Sequence, residues 1–151
     1  MATATSNCGE ISEFLTNLYG LSVTASASAS KPEGVGVSAS YVDSEGTVKG
    51  HILCDVAGAA VLGAALTQIP MGAVEDAVST GSLPENIQEN VSEVLNIAVN
   101  LVPGQDSNRL VLSGVQFGSL ADGVEGLTND SVLELEVQRY DVKGLLQISH
   151  S

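Results

Sequence analysis

The predicted strands of this chain fall into two runs of three, and the helical segments lie before and between these runs. Strict alternation of strands and helices produces a parallel sheet, whereas strands that follow one another in runs favour an antiparallel sheet. The predicted order of elements is αβββααβββ. We therefore predict an α+β fold, a two-layer sandwich in which a mainly antiparallel sheet is covered by two long helices.

The strands are predicted from alternating apolar residues and from turn signals. Residues 21–27 alternate small apolar residues with Ser and Thr, which fits a strand or a loop. Residues 35–42 and 47–54 flank the polar turn sequence Asp-Ser-Glu-Gly at residues 43–46, which indicates a β-hairpin. The other predicted strands cover residues 109–115, 131–139 and 143–149.

The helices are predicted from apolar residues at helical spacing. Residues 9–18 form an amphipathic first helix, and Asp55 suits the N-cap of an alanine-rich helix that ends before Pro70. A shorter helical piece is predicted over residues 72–78. A helix of about five turns then covers residues 84–102. Its apolar face consists of Ile87, Val91, Val94, Leu95, Ala98 and Val102.

Composition limits the number of domains and the kinds of partner. A chain of 151 residues has room for one domain, residues 1–151, and its 44% of hydrophobic residues support a packed core. Eighteen Asp and Glu against five Lys and Arg give a formal net charge of −13, which repels nucleic acids and anionic membrane surfaces. No apolar stretch approaches the roughly 20 residues that span a bilayer, and we expect a cytoplasmic protein.

The reactive residue types form no recognisable metal, cofactor or nucleophile motif. Cys8 and Cys54 are distant in sequence and no Cys/His cluster accompanies them, so no metal or cofactor of the chain's own is predicted. Cys54 is expected to pack in the core. His51 lies in the strand register opposite to Ile52 and Cys54, and is expected to face solvent. Neither His51 nor His150 is assigned a special role.

One face of the helix over residues 84–102 is polar. At about 100° per residue, Glu89, Glu93, Asn96 and Asn100 fall within a sector roughly 60° wide, opposite the apolar face. We call these four residues the polar ridge. Solvation alone can account for such a face, but Asn is a poor residue for a helix interior, and Asn90 adds another one nearby. The polar ridge is therefore the candidate functional site.

Glu93 and Asn96 are three residues apart, so their side chains project from adjacent helical turns in nearly the same direction. Glu93 can accept a hydrogen bond from a Lys or Arg side chain. Asn96 offers an amide donor and a carbonyl acceptor, which together can hold a water molecule in line with an electrophile. Such a pair suits an electrophile that is already activated, such as an acyl phosphate with its own metal ion. The pair would then be half of an active site that another protein completes.

The segment Glu93-Val94-Leu95-Asn96-Ile97 resembles the E-x-x-N helix signature of the CheC/CheX-type chemotaxis phosphatases, which hydrolyse the phosphoaspartate of the response regulator CheY. The order of elements and the strand at residues 50–55 before an apolar helix are also similar, and a single signature looks more like CheX. The resemblance implies that Glu93 pairs with a Lys of a phosphorylated CheY-like receiver domain. It also implies that Asn96 orients the attacking water near a divalent cation, Mg²⁺, that the partner binds.

The sequence departs from the family pattern at three points. Asn100 stands where the family often has a small residue, the usual downstream Pro has no counterpart near Gly118, and Glu89 replaces the usual Asp or Ser. Two alternatives to a phosphatase therefore remain. One is a non-catalytic module of the same fold that sequesters or senses a response regulator. The other is a structural homodimer that pairs through exposed strand edges, and homodimerisation is compatible with every version.

Overall fold

The computed structural model describes residues 3–103, 109–120, 126–127 and 129–150. The helices and strands within these residues confirm the predicted α+β class and the predicted order, and the short helical piece is present as the second of three helices between the strand runs. In chain order the elements are α1 (Thr3–Tyr19), β1 (Val23–Ala27), β2 (Val35–Val42), β3 (Val48–Asp55), α2 (Val56–Leu66), α3 (Met71–Thr80), α4 (Glu85–Ile97), a 3-10 turn (Ala98–Leu101), β4 (Val111–Ser119), β5 (Asn129–Val137) and β6 (Gly144–His150).

The strands form one sheet of six, in the order β1-β5-β6-β3-β2-β4. Every neighbouring pair is antiparallel, as predicted. β2 and β3 form the predicted hairpin, in whose turn the Asp43 carboxylate accepts hydrogen bonds from the backbone N–H groups of Glu45 and Thr47. β1 and β4 are the edge strands of this sheet. Residues 23–27, for which the sequence allowed a strand or a loop, form a strand.

The helices cover one face of the sheet and enclose the hydrophobic core. α2 lies directly on the sheet, and all of its residues from Gly58 to Ala65 are buried. Gly144 of β6 and Gly58 of α2 lack side chains where the two backbones come together, because an added Cβ on either residue would overlap the other element. α1 packs against β1 and β5, whereas α4 packs against α2. The outward side of α4 is consequently left at the molecular surface.

α1 and α4 differ in extent from their predictions, and α3 is slightly longer than the predicted residues 72–78. α1 begins at Thr3 rather than at Gly9. The prediction of one α-helix over residues 84–102 is wrong for its last residues. The α-helix α4 ends at Ile97, and a 3-10 turn continues to Leu101. The last turn of an α-helix often tightens in this way, since its carbonyl groups lack partners farther along the helix. None of the described helices has the length and apolar character needed to cross a membrane.

The expectation that His51 faces solvent is wrong. The predicted register is right, since His51 lies opposite Ser40 and Ser149 on the face of the sheet away from Ile52. However, the His51 side chain is only 6% exposed. The centre of this face is not solvated, because Gln147 and Ser149 of β6 are buried there as well. Burial lowers the pKa of His51, and its Nδ1 atom has no hydrogen-bond partner among the described residues.

Candidate functional site

Glu93 and Asn96 both lie on α4, one turn apart, and both are exposed. Neither side chain has a hydrogen-bond or salt-bridge partner within the described part of the chain. The opposite side of the helix is buried through Ile87, Val91 and Val94. The structure therefore leaves a carboxylate and an amide side by side at the surface, with their hydrogen-bonding groups available to another molecule.

The body of α4 is held closely against α2. A Cβ added at Gly63 of α2 would lie 2.6 Å from the carbonyl oxygen of Ile87, so the two helices approach each other at a position without a side chain. Nearby, Asn90 Nδ2 donates to the Gly63 carbonyl over 3.0 Å and to Thr67 Oγ1 over 2.8 Å. Asn90, which the sequence placed near the ridge as a hint of function, thus joins the two helices.

The last turn of α4 has two further contacts on either side of Asn96. The buried Tyr41 hydroxyl of β2 donates to the carbonyl oxygen of Leu95 over 2.6 Å. Asn100 Nδ2 donates to the carbonyl oxygen of Ile97 over 3.2 Å. Asn100 is exposed, but it belongs to the 3-10 turn, so the α-helical spacing that defined the polar ridge applies only to Glu89, Glu93 and Asn96.

A groove of about 360 Å³ lies between α1 and the 3-10 turn, at the Asn100 end of the polar ridge. Its lining includes two carboxylates and two amides, and consists of Glu10, Glu13, Phe14, Asn17, Asn100 and Leu101. The surface that continues from the ridge is therefore acidic and polar. It would favour a partner that presents cationic side chains, because complementary charges speed association and disfavour wrong partners.

The other reactive groups lie away from this surface. Cys54 is fully buried, as predicted, and burial raises the pKa of its thiol, so it remains a protonated packing residue. No group of three His, Cys, Asp or Glu side chains that could hold a metal ion occurs in the described ranges. Glu93 offers a hydrogen-bond acceptor and Asn96 offers a donor and an acceptor, so the pair can bind and position a polar group of another molecule.

Two residues that shape the site were not identified from the sequence. Tyr41 lies on the buried face of a strand, and a buried hydroxyl requires a hydrogen-bond partner. That rule indicates a partner for Tyr41 but not that Leu95 would supply it, because the two residues are 54 positions apart in the chain. Gly63 could not be recognised as a contact point either, since a helical glycine has no distinctive spacing.

No protein-family model and no curated protein matches this sequence. Solved structures do match its fold. FliY from Thermotoga maritima superposes with a TM-score of 0.64 at 16% identity, over 96% of this chain and 84% of that one. CheX from Vibrio vulnificus gives a TM-score of 0.51 at 13% identity, over 97% and 95% of the two chains. CheX from Desulfovibrio desulfuricans gives 0.50 at 10% identity, over the whole of both chains.

These matches cover nearly the full chain at low identity, and they establish its fold. The protein is an α+β sandwich with an exposed Glu and Asn on one helix of its helical layer. Its fold is similar to the folds of CheX and FliY. The resemblance to CheX-type proteins, which the sequence suggested through residues 93–97, is thereby confirmed at the level of the fold.

Proposed function

We propose that this protein is a cytoplasmic CheX-like phosphatase of chemotaxis signalling, which hydrolyses the phosphoaspartate of a CheY-like receiver domain. The observation that carries this proposal is that Glu93 and Asn96 are exposed one turn apart, without partners among the described residues. The helix that bears them is packed against α2 on its opposite side. The fold shared with CheX supports it. The spacing of the pair matches the E-x-x-N signature that suggested the family.

In the proposed mechanism α4 inserts its exposed face into the active site of the receiver domain. The Glu93 carboxylate accepts a hydrogen bond from a Lys of the receiver, which binds and orients the two proteins. The Asn96 amide holds a water molecule in line with the phosphorus atom. Attack by this water breaks the bond between phosphorus and the aspartate oxygen, and releases inorganic phosphate and the free Asp carboxylate. A Mg²⁺ ion bound by the receiver domain would supply stabilisation of the charge on the phosphoryl oxygens.

The test measures the decay of a phosphorylated CheY-type receiver domain in the presence of Mg²⁺ and of increasing amounts of this protein. We expect wild-type protein to accelerate the decay. Asn96→Ala should lower kcat by about 100-fold, because it removes the group that positions the water. Glu93→Ala should mainly raise KM, by about tenfold or more, because it removes a contact made on binding.

Controls separate these effects from loss of folding or of charge. Asn96 has no partner among the described residues, so Asn96→Ala should change the free energy of unfolding by less than about 0.5 kcal/mol. Glu75→Ala removes an exposed carboxylate from α3 and should leave kcat and KM unchanged. Complex formation without faster decay would contradict the phosphatase and favour the non-catalytic module. If the protein neither binds the receiver domain nor accelerates its decay, the structural homodimer is the remaining alternative.

We also propose that two copies associate through β4. This edge strand has nine residues, none of them charged, in a chain with a formal net charge of −13. Val111 and Phe117 are 61% and 37% exposed on it. Natural edge strands are commonly protected by charged residues or proline, and β4 has neither. Antiparallel pairing of β4 with its copy would bury the unprotected edge.

A further inference from the structure

The hydrogen bond from Tyr41 to the end of α4 bears directly on the proposed reaction. We propose that Tyr41 is a positioning residue for Asn96: its hydroxyl fixes the Leu95–Asn96 peptide group, and thereby the direction in which the Asn96 amide holds water. This inference rests on the proposed phosphatase function. Tyr41 itself touches neither the receiver domain nor the reacting atoms.

The contact joins Asn96 to the sheet through a single peptide group. Tyr41 Oη lies 2.6 Å from the carbonyl oxygen of Leu95, which belongs to the peptide bond that leads into Asn96. Leu95 is in the last turn of α4, where helix carbonyls begin to lose their partners, and a 3-10 turn follows at Ala98. The end of a helix is free to fray unless something else holds it. Tyr41 supplies that hold at the residue before Asn96.

The strands are irregular at the point from which Tyr41 reaches α4. The pairing of β2 with β4 shifts between Ser40 and Tyr41, and the pairing of β2 with β3 shifts between Tyr41 and Val42. Such bulges redirect side chains and are frequent beside active sites. The residue opposite Tyr41 on β3 is Gly50, at which an added Cβ would lie 2.7 Å from Val102 Cγ1 just beyond the 3-10 turn. The pairing of β2 with both of its neighbours is therefore irregular at Tyr41, the residue whose side chain reaches the end of α4.

The state of the hydroxyl fits a constant structural donor. Tyr41 is fully buried, and burial raises the pKa of its hydroxyl above the ordinary value for tyrosine. The hydroxyl therefore stays protonated and can donate to Leu95 throughout the physiological pH range. Without this hydrogen bond, the Asn96 amide would sample several directions. In the proposal, the bond from Tyr41 to Leu95 narrows the range of those directions.

The chain supplies two matched controls for this contact. Each of its three tyrosines is buried and donates its hydroxyl to a backbone carbonyl. Tyr19 donates to Leu62 of α2 over 2.7 Å, and Tyr140 donates to Ile69 after α2 over 2.6 Å. Tyr19→Phe and Tyr140→Phe therefore remove the same kind of bond as Tyr41→Phe, but from a carbonyl that does not belong to α4.

The experiment compares the three variants in the decay of a phosphorylated CheY-type receiver domain with Mg²⁺. Tyr41→Phe should lower kcat by roughly tenfold and leave KM within about twofold, because Glu93 still binds while Asn96 is less well directed. Tyr19→Phe and Tyr140→Phe should keep both constants within about twofold of wild type. A purely structural role predicts equal effects of the three substitutions. Equal kcat values would overturn the inference.

A second measurement does not depend on catalysis. Amide hydrogen exchange around residues 95–98 of the isolated protein should be faster in Tyr41→Phe than in wild type, and unchanged in the two control variants. If wild-type protein fails to accelerate decay, the proposed function fails, and this measurement still tests the contact. If wild-type protein is active but the exchange of these amides does not change, the positioning role is wrong while the phosphatase stands.

Discussion

Asn90 and Asn96 are the same residue type on the same helix, and the structure gives them opposite surroundings. Asn90 donates to Gly63 and Thr67 of the α2 segment, whereas Asn96 is exposed and has no partner among the described residues. A buried carbonyl that loses its donor is unfavourable by about 1–3 kcal/mol, and an exposed amide has no such partner to lose. Asn90 is therefore a structural residue, and only Asn96 remains available for a partner.

His51 should make the stability of the protein depend on pH. Burial lowers its pKa in the folded state below the value of 6.5 that an unperturbed histidine has. Folding then favours the neutral form, so the stabilisation is complete above about pH 6.5 and is lost as the pH falls below that value. We expect the free energy of unfolding, measured by urea titration, to fall between about pH 7 and pH 5.

The variant His51→Asn tests the assignment to this residue. It replaces the imidazole by a side chain that does not titrate, so the decrease in stability from about pH 7 to pH 5 should become smaller. An unchanged pH dependence in His51→Asn would show that other groups cause it. The free energy of unfolding of each protein at pH 5 is compared with its own value at pH 7. An overall loss of stability in His51→Asn therefore does not affect the comparison.

At the scale of elements, the close approach of α2 and α4 sets where the polar ridge points. Gly63→Ala should lower the free energy of unfolding by about 1–3 kcal/mol, because the new Cβ would lie 2.6 Å from the Ile87 carbonyl oxygen and the helices would have to separate. Gly72→Ala is the matched control, since nothing lies within 4 Å of a Cβ on that exposed residue of α3. It should be neutral or stabilising by up to about 1 kcal/mol.

Urea unfolding of both variants measures this difference. Equal free energies of unfolding for Gly63→Ala and Gly72→Ala would contradict the tight contact between the helices. If the phosphatase proposal is right, Gly63→Ala should also lower the rate of receiver dephosphorylation, since a displaced α4 carries Glu93 and Asn96 with it.

At the scale of the whole molecule, the proposed dimer should respond to charge on one edge of the sheet only. Ser113 and Gln116 are exposed on β4, and lysines at both positions would add like charges to the paired edge of both copies. We expect wild-type protein to sediment with twice the 15.4 kDa of one chain. The sedimenting mass of S113K/Q116K should shift towards that of the monomer.

The matched control places the same charges on the other edge. T24K/S26K adds two lysines to exposed positions of β1 and should leave the mass at the dimer value. A monomeric wild-type protein, or an equal effect of the two double variants, would contradict association through β4. If the phosphatase proposal is right, both variants should keep the activity, because α4 is not part of either edge.

Local patterns determined the elements of this fold. The hairpin turn at residues 43–46 and the Asp55 cap occur where they were predicted, because each depends on neighbouring residues alone. The exposed position of Glu93 and Asn96 could be predicted for the same reason, since helical periodicity separates a polar face from an apolar one. The helical pattern did not show that α4 becomes a 3-10 turn after Ile97.

Tertiary packing decided what local patterns do not contain. The strand order places β5 and β6 between β1 and β3, so His51 has a buried neighbour, Ser149, from a strand almost 100 positions away in the chain. The bonds from Asn90 to Gly63 and from Tyr41 to Leu95 also connect distant segments. Sequence periodicity reports which face of an element is apolar, but it carries no information on which other segment covers that face. Only the folded chain brings those donors and acceptors together.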